Sequence, residues 1–226
     1  MGNRAPIFKA ANLMIISHQH RFIFFAIPKT GTHSVRQALR TQLGTQDLEQ
    51  VGLFVEKRFP FKEFANITHG HISTQQIRPV LGEYVFKRYY KFAFVRNPYD
   101  RFVSYCAFMG REDNEFEAAP RDFMKHIVKN RNSMDHLLYR PQHEFITDAE
   151  GHLAVDFIGR TEDMQASYDA ICARLELPPA ALGCINTSRH RPYVEYYDAE
   201  LRNAVATVYR RDLELFNYEF DASAQA

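Results

Sequence analysis

Pro28-Lys29-Thr30-Gly31-Thr32-His33-Ser34 concentrates a lysine, three hydroxyls and a glycine in seven consecutive residues. Placed where a buried strand turns into a helix, such a run offers free backbone N–H donors and the positive end of a helix dipole to an anion. Lys29 adds a full charge, and Thr30, Thr32 and Ser34 add hydroxyls, a set suited to phosphate or sulfate. The run is not a Walker A loop, which requires G-x-x-x-x-G-K-[ST]; here there is one glycine and the lysine precedes it. That disfavours a hydrolytic NTPase. A second element is Arg96, with Ser104 eight residues later. A guanidinium and a hydroxyl at those positions suit a second phosphate, the arginine in bidentate fashion. Together the two elements point to a phosphorylated nucleotide used as the donor in group transfer.

Transfer to a hydroxyl needs a base, because an alcohol is a poor nucleophile at neutral pH and histidine is the side chain best poised to take its proton. His69-Gly70-His71 supplies candidates, with both imidazoles on one side if the segment is extended. Solvated loop histidines, or an adventitious metal site, are the plainer readings of that spacing. His18-Gln19-His20 has the same spacing and is expected to be inert, since it precedes the Phe22 strand at the end of the sheet away from the donor.

The elements that must position these residues recur as strand then helix. Phe22 to Ile27 is an apolar run of strand length, ended by Pro28. A helix follows from about Thr32, with Val35, Ala38, Leu39 and Leu43 on one face and Gly44 as its stop. Lys91 to Arg96 reads as the next strand, with Asn97 as N-cap and Pro98 at the first position of a helix carrying Phe102, Tyr105, Cys106 and Phe108. A third unit runs from Val155 to Ile158 through Gly159 into a helix capped by Thr161, with Glu162 and Asp163 in its first turn. Its stripe is Met164, Tyr168, Ile171, Cys172 and Leu175, stopped by Pro178 and Pro179. A last helix spans about Asp198 to Phe216 through Leu201, Val205, Val208 and Tyr209. This alternation predicts an α/β fold, a parallel sheet covered on both faces that binds ligands at the carboxyl ends of its strands. Phe108 to Gln142 reads as a helical insertion, and residues 1–226 as a single domain.

Lys and Arg total 28 against 27 acidic residues, so the overall field is weak and non-specific binding to nucleic acid or anionic membrane is not expected. An anionic ligand must then be held by a local cluster. Cys106, Cys172 and Cys184 form no paired framework, which suits buried thiols in a reducing compartment. No apolar run approaches bilayer length, and Ser17 to Arg21 interrupt the N-terminal apolar stretch of a would-be signal peptide, so a cytoplasmic chain without a membrane span is predicted.

On these motifs the chain resembles the sulfotransferases that use 3′-phosphoadenosine 5′-phosphosulfate (PAPS), in particular the carbohydrate branch with the heparan sulfate 2-O- and chondroitin 4-O-sulfotransferases. Pro28 to Ser34 resembles the 5′-phosphosulfate loop of that family. Phe94-Val95-Arg96-Asn97-Pro98-Tyr99-Asp100-Arg101-Phe102-Val103-Ser104 resembles its 3′-phosphate motif. Asp156 to Glu162 and Tyr209 to Tyr218 also resemble that branch.

The resemblance implies a P-loop-NTPase-like sheet flanked by helices, PAPS as donor and 3′-phosphoadenosine 5′-phosphate (PAP) as product. It assigns Lys29, Thr30, Gly31, Thr32, His33 and Ser34 to the 5′ side and Arg96 and Ser104 to the 3′-phosphate. Lys29 would stabilise charge on the departing phosphate, and no metal is required. Asn186 to Arg191 is the segment expected to close over the donor, with Ser188 and Arg189 as contacts. His71 is the preferred base, as in the His-Gly-His of the 2-O-sulfotransferases, with His69 as helper or substitute. The acceptor would be a hydroxyl, on a carbohydrate or a small metabolite, and the relatives with a Golgi membrane anchor suggest by contrast a soluble bacterial-type enzyme. Lys57, Arg58, Lys62, Lys87 and Arg88, with Gln142 and His143, are the residues considered for an acceptor cleft. The rival readings are a non-catalytic nucleotide-binding module and a P-loop kinase-like phosphotransferase.

Overall fold

A computed structural model describes residues 13–51, 57–130, 133, 135–183 and 191–221. Five strands form one sheet in the order β3-β1-β2-β4-β5. They are β1 (Leu13–Ser17), β2 (Phe22–Phe25), β3 (Leu48–Val51), β4 (Tyr90–Val95) and β5 (Phe157–Arg160). β2, β4 and β5 run parallel, with Phe24 beside Phe92 and Phe94 beside Gly159. β1 runs antiparallel to both β2 and β3. The parallel sheet predicted from the alternation is present in β2, β4 and β5, and the antiparallel β1 and β3 extend it on one side.

The difference comes from Ser17 to Arg21. These polar residues, which break the apolar stretch in sequence, are a hairpin turn that returns the chain antiparallel onto β1. Arg21 takes a left-handed φ of 53° there, and the Asp47 carboxylate holds the turn. It accepts from the Ser17 hydroxyl at 2.7 Å and from the backbone N–H of His18 and Gln19 at 2.6 and 3.0 Å. His18 and His20 consequently sit at the amino end of β2, where their side chains bond Tyr89 and the Gln42 carbonyl.

Helices cover both faces. Met14, Ile16, Ile23, Phe25, Ala93 and Val95 enter one core with Phe64, Ile72, Ile77 and Phe145. Their neighbours Ile15, Phe22, Phe24, Phe92 and Phe94 enter the other with Val35, Leu39, Tyr168 and Ile171. The period-two alternation of strand side chains thus divides between two apolar layers. The helices are α1 (Thr32–Arg40), α2 (Thr74–Arg88), α3 (Pro98–Met109), α4 (Glu115–Ala118), α5 (Pro120–Lys129), α6 (His143–Ile146), α7 (Met164–Leu175), α8 (Ala199–Val208) and α9 (Arg210–Phe216).

Several boundaries differ from the sequence reading for local reasons. α1 stops at Arg40, and Gly44 instead lies in the next turn, donating its N–H to Asp47. α2 opens on a Ser73–Gln76 capping box but carries Pro79 and a break at Gly82, φ 76°, which erase its periodicity. β5 begins two residues later than expected, and α7 is preceded by Asp163 without a side-chain cap. The Thr161 hydroxyl donates elsewhere, to the carbonyls of Thr30 and Val95. The single C-terminal helix is two, broken at Tyr209, whose hydroxyl donates to the buried Tyr139 carbonyl at 2.7 Å. α3, by contrast, starts as its sequence implies: the Asn97 side chain accepts from the Tyr99 N–H, and Pro98 occupies the first turn.

Candidate active site

β2 ends at Phe25, and by Thr32 the chain is helical. Between them the backbone passes twice through the left-handed region, at Lys29 (φ 67°) and Gly31 (φ 70°). Gly31 meets this without strain; a Cβ there would run into the Met164 side chain. Lys29 is a strained exception, and such strain persists where surrounding contacts over-determine it.

Those contacts are visible. The Pro28 carbonyl accepts from Arg101 Nε at 2.9 Å, the Lys29 carbonyl from Arg96 Nη1 at 3.4 Å, and the Thr30 carbonyl from the Thr161 hydroxyl at 3.2 Å. In a trans peptide the C=O and the following N–H point in opposite directions. Bonding three successive carbonyls fixes the peptide planes of the turn, and with them the directions in which the N–H groups of Lys29, Thr30 and Gly31 point. The buried Thr30 hydroxyl donates back to Ile27, so its role is to hold the turn. Ser34 donates to the Gly183 carbonyl at 2.6 Å, linking the turn to the chain that leads into residues 184–190. Ser188 and Arg189 lie outside the described residues.

Arg101 is the residue that sequence reasoning missed. Its side chain is buried, and besides Pro28 it bonds the carbonyls of Leu138 at 3.1 Å and Arg140 at 2.9 Å. An arginine directly beside the apolar positions Phe102 and Tyr105 of α3 was the available signal. Arg96 sits just beyond β4, its Nε donating to Asp100 at 2.6 Å. It thus joins the second motif to the backbone of the first. Ser104 is buried in α3 about two turns beyond the Asn97 cap.

The electrostatics suit an anion. Burial, and after it the charges of Arg96, Arg111 and Arg101, bring Lys29 down to about 7. Its ammonium stands 4.7 Å from the centre of the Phe108 ring. Burial together with Arg36 and Lys29 lowers His33, and burial with Arg140 lowers His69. His71 is buried; desolvation drives it down to about 3 against the opposing effect of its bond to Ala26. That bond, 2.5 Å from His71 Nδ1 to the Ala26 carbonyl, defines the tautomer. A carbonyl only accepts, so Nδ1 carries the hydrogen and Nε2 the lone pair. The His69-Gly70-His71 segment is held by Gln50, whose Nε2 donates to the carbonyls of Ile67 and His69.

The residues considered for an acceptor cleft fare differently. Lys87 and Arg88 end α2 just before the amino end of β4, the far end of the sheet. Lys57 pairs with the buried Glu49, and Arg58 and Lys62 are exposed. Gln142 is wholly buried and faces the Arg96 backbone rather than a cleft, and His143 Nδ1 is paired with Asp212 at 2.7 Å.

Lys29 with Arg96 beside its carbonyl is a set of groups that suits an anion, and the buried His71 keeps a neutral imidazole with its lone pair on Nε2. An anion at Lys29 favours the ammonium, so its pKa must rise on binding. The contribution of that charge to affinity is fully present below the free-protein value near 7. It is lost as pH rises through the higher value of the complex. Binding PAP at neutral pH is therefore expected to take up a fraction of a proton, seen in calorimetry as a heat that varies with buffer ionisation enthalpy; a heat independent of buffer would contradict it.

Among the described residues no helix is long and apolar enough to cross a membrane. The profile of the family described as “Sulfotransferase family” matches residues 12–219. No curated protein and no solved structure matches the chain significantly.

Proposed function

As a member of the sulfotransferase family, over residues 12–219, this chain is a transferase that moves a sulfuryl group to an acceptor hydroxyl, and we propose that its donor is PAPS and its base His71. The turn from Lys29 to Ser34 takes the 5′-phosphosulfate, and Arg96 with Ser104 takes the 3′-phosphate. The acceptor oxygen attacks sulfur in line with the phosphate oxygen that leaves. As the new S–O bond forms, the old one breaks, and its electron pair stays on the phosphate beside the Lys29 ammonium. The hydroxyl proton passes to His71 Nε2, giving a sulfate ester and PAP. Catalysis of this kind rests on placement and on charge aimed at the departing oxygen, and no step needs a metal.

The observation that carries this reading is the contact of Arg96 Nη1 with the Lys29 carbonyl. It supports reading the two elements as adjoining parts of one site, as a ligand bearing separated phosphates requires. The His71 tautomer supports the base, since its Nε2 is already free of hydrogen. For the acceptor we favour a carbohydrate hydroxyl, following the resemblance to the glycan-modifying branch, and for the location the cytoplasm, in keeping with the buried, unpaired Cys106 and Cys172.

Calorimetry with PAP and with ATP, each with and without Mg²⁺, tests the donor. PAP is expected to bind without the metal and more tightly than ATP. A preference for ATP, or binding that depends on Mg²⁺, would replace the sulfotransferase donor with that of a phosphotransferase. Transfer of radiolabelled sulfate from PAPS to a panel of glycans and small alcohols then identifies the acceptor class.

A further inference from the structure

β4 ends at Val95, and its partner β5 ends at Arg160. At the next residue a side chain takes over from the ladder. Gln142 Oε1 accepts from the Arg96 N–H at 2.9 Å, and Gln142 Nε2 donates to the Arg96 carbonyl at 2.9 Å. One buried amide thereby satisfies both backbone polar groups of Arg96, as a paired strand residue would. Gln142 is itself fixed from behind. Its N–H donates to Asp212 Oδ2 at 2.7 Å, while the His143 N–H and Nδ1 reach Asp212 Oδ1 at 2.9 and 2.7 Å. Asp212, on α9, is completely buried.

A buried carboxylate with three donors is a rigid anchor, because losing any of them leaves charge unsatisfied in a low-dielectric interior. The anchored chain runs Asp212, Gln142, Arg96, and ends on a guanidinium that touches the Lys29 carbonyl. We propose that Gln142, held by Asp212, is a positioning residue that sets the direction of Arg96 for the donor's 3′-phosphate and its spacing from the Lys29 turn. This rests on the assignment of Arg96 to the 3′-phosphate given above. Gln142 touches no substrate; it acts by fixing the φ and ψ from which the Arg96 side chain departs, and a small error there is multiplied along that long side chain.

PAP and adenosine 5′-monophosphate differ only in the 3′-phosphate, so the ratio of their affinities isolates that contact. Gln142→Met nearly keeps volume and loses both hydrogen bonds; it is expected to lower the PAP preference about tenfold while leaving the monophosphate within about twofold of wild type. Gln142→Glu is the second variant. Ionised, it sets a carboxylate against the Arg96 carbonyl and lowers the same ratio. Protonated, it again presents one donor and one acceptor, so the ratio recovers toward the wild-type value measured at the same acidic pH. A merely structural role would instead depress both affinities together in the folded variants, and that result, or an unchanged ratio, overturns the proposal. A wild-type protein that binds PAP no more tightly than the monophosphate removes the 3′-phosphate assignment as well, and is recognised without any variant.

Discussion

Lys29→Ala is expected to lower single-turnover sulfuryl transfer by about 10²–10³-fold, the range seen when a preorganised group facing developing charge is removed. The loss belongs to the chemical step rather than to binding, because negative charge grows on the departing phosphate oxygen only as the S–O bond breaks. PAP affinity should weaken by a smaller factor, since the N–H groups of the turn and Arg96 remain. The left-handed φ of 67° at this residue allows a second variant to separate charge from backbone. Lys29→Gly relieves strain of roughly 1 kcal/mol and loosens the unfolded chain by a comparable amount, so stability stays near the wild-type value. If the glycine variant were to recover much of the rate lost by the alanine variant, the lysine would be serving the backbone and not the transition state. Rapid-quench measurement at saturating donor, with thermal unfolding of each variant, decides between these outcomes.

The second large effect is expected at His71. Removing a general base lowers the rate by about 10²–10⁴-fold, and His71→Asn is the informative form because an asparagine amide can still donate to the Ala26 carbonyl. The fold of the segment is then retained while the Nε2 lone pair is lost, and PAP binding should change little. Burial pushes the imidazole down to about 3, which keeps it neutral at working pH. On the proposed assignment, the negative charge of a donor bound beside it would raise that value and strengthen the imidazole as a base. Full turnover in His71→Asn would end the assignment of His71. Activity lost only when His69 is also replaced would move the role of base to a shared pair.

How much of this could be read in the sequence depended on whether the cause was local. The Phe22 strand, the turn after it, and the Asn97-Pro98 start of α3 are written in adjacent residues, and each was legible. The hairpin at Ser17 to Arg21 was not, because polar residues interrupting an apolar run look the same whether the chain ends a segment or doubles back. The break at Tyr209 was hidden because Leu201, Val205 and Val208 keep helical spacing up to it, while the hydroxyl of Tyr209 is tied to Tyr139, 70 residues away. The turn at Lys29 was recognised by its own composition, yet what holds its shape comes from elsewhere. Arg101, Arg96 and Thr161 lie 73, 67 and 131 residues from the carbonyls they bind. Gln142, likewise, carries no local sign of its task, since its partner lies 46 residues earlier. Spacing rules see side chains that act together on one element; they do not see a backbone held from three directions.

The buried guanidinium of Arg101 spans two regions that a protein engineer would treat as separate modules. One of its nitrogens holds the Pro28 carbonyl and another holds those of Leu138 and Arg140, at the far end of the helical insertion. Grafting a foreign insertion onto this scaffold would therefore also remove the two carbonyls that fix Arg101, one of the three side chains that hold the Lys29 turn. Such a chimera keeps Arg101 in place if the graft returns two carbonyls to the positions now filled by Leu138 and Arg140.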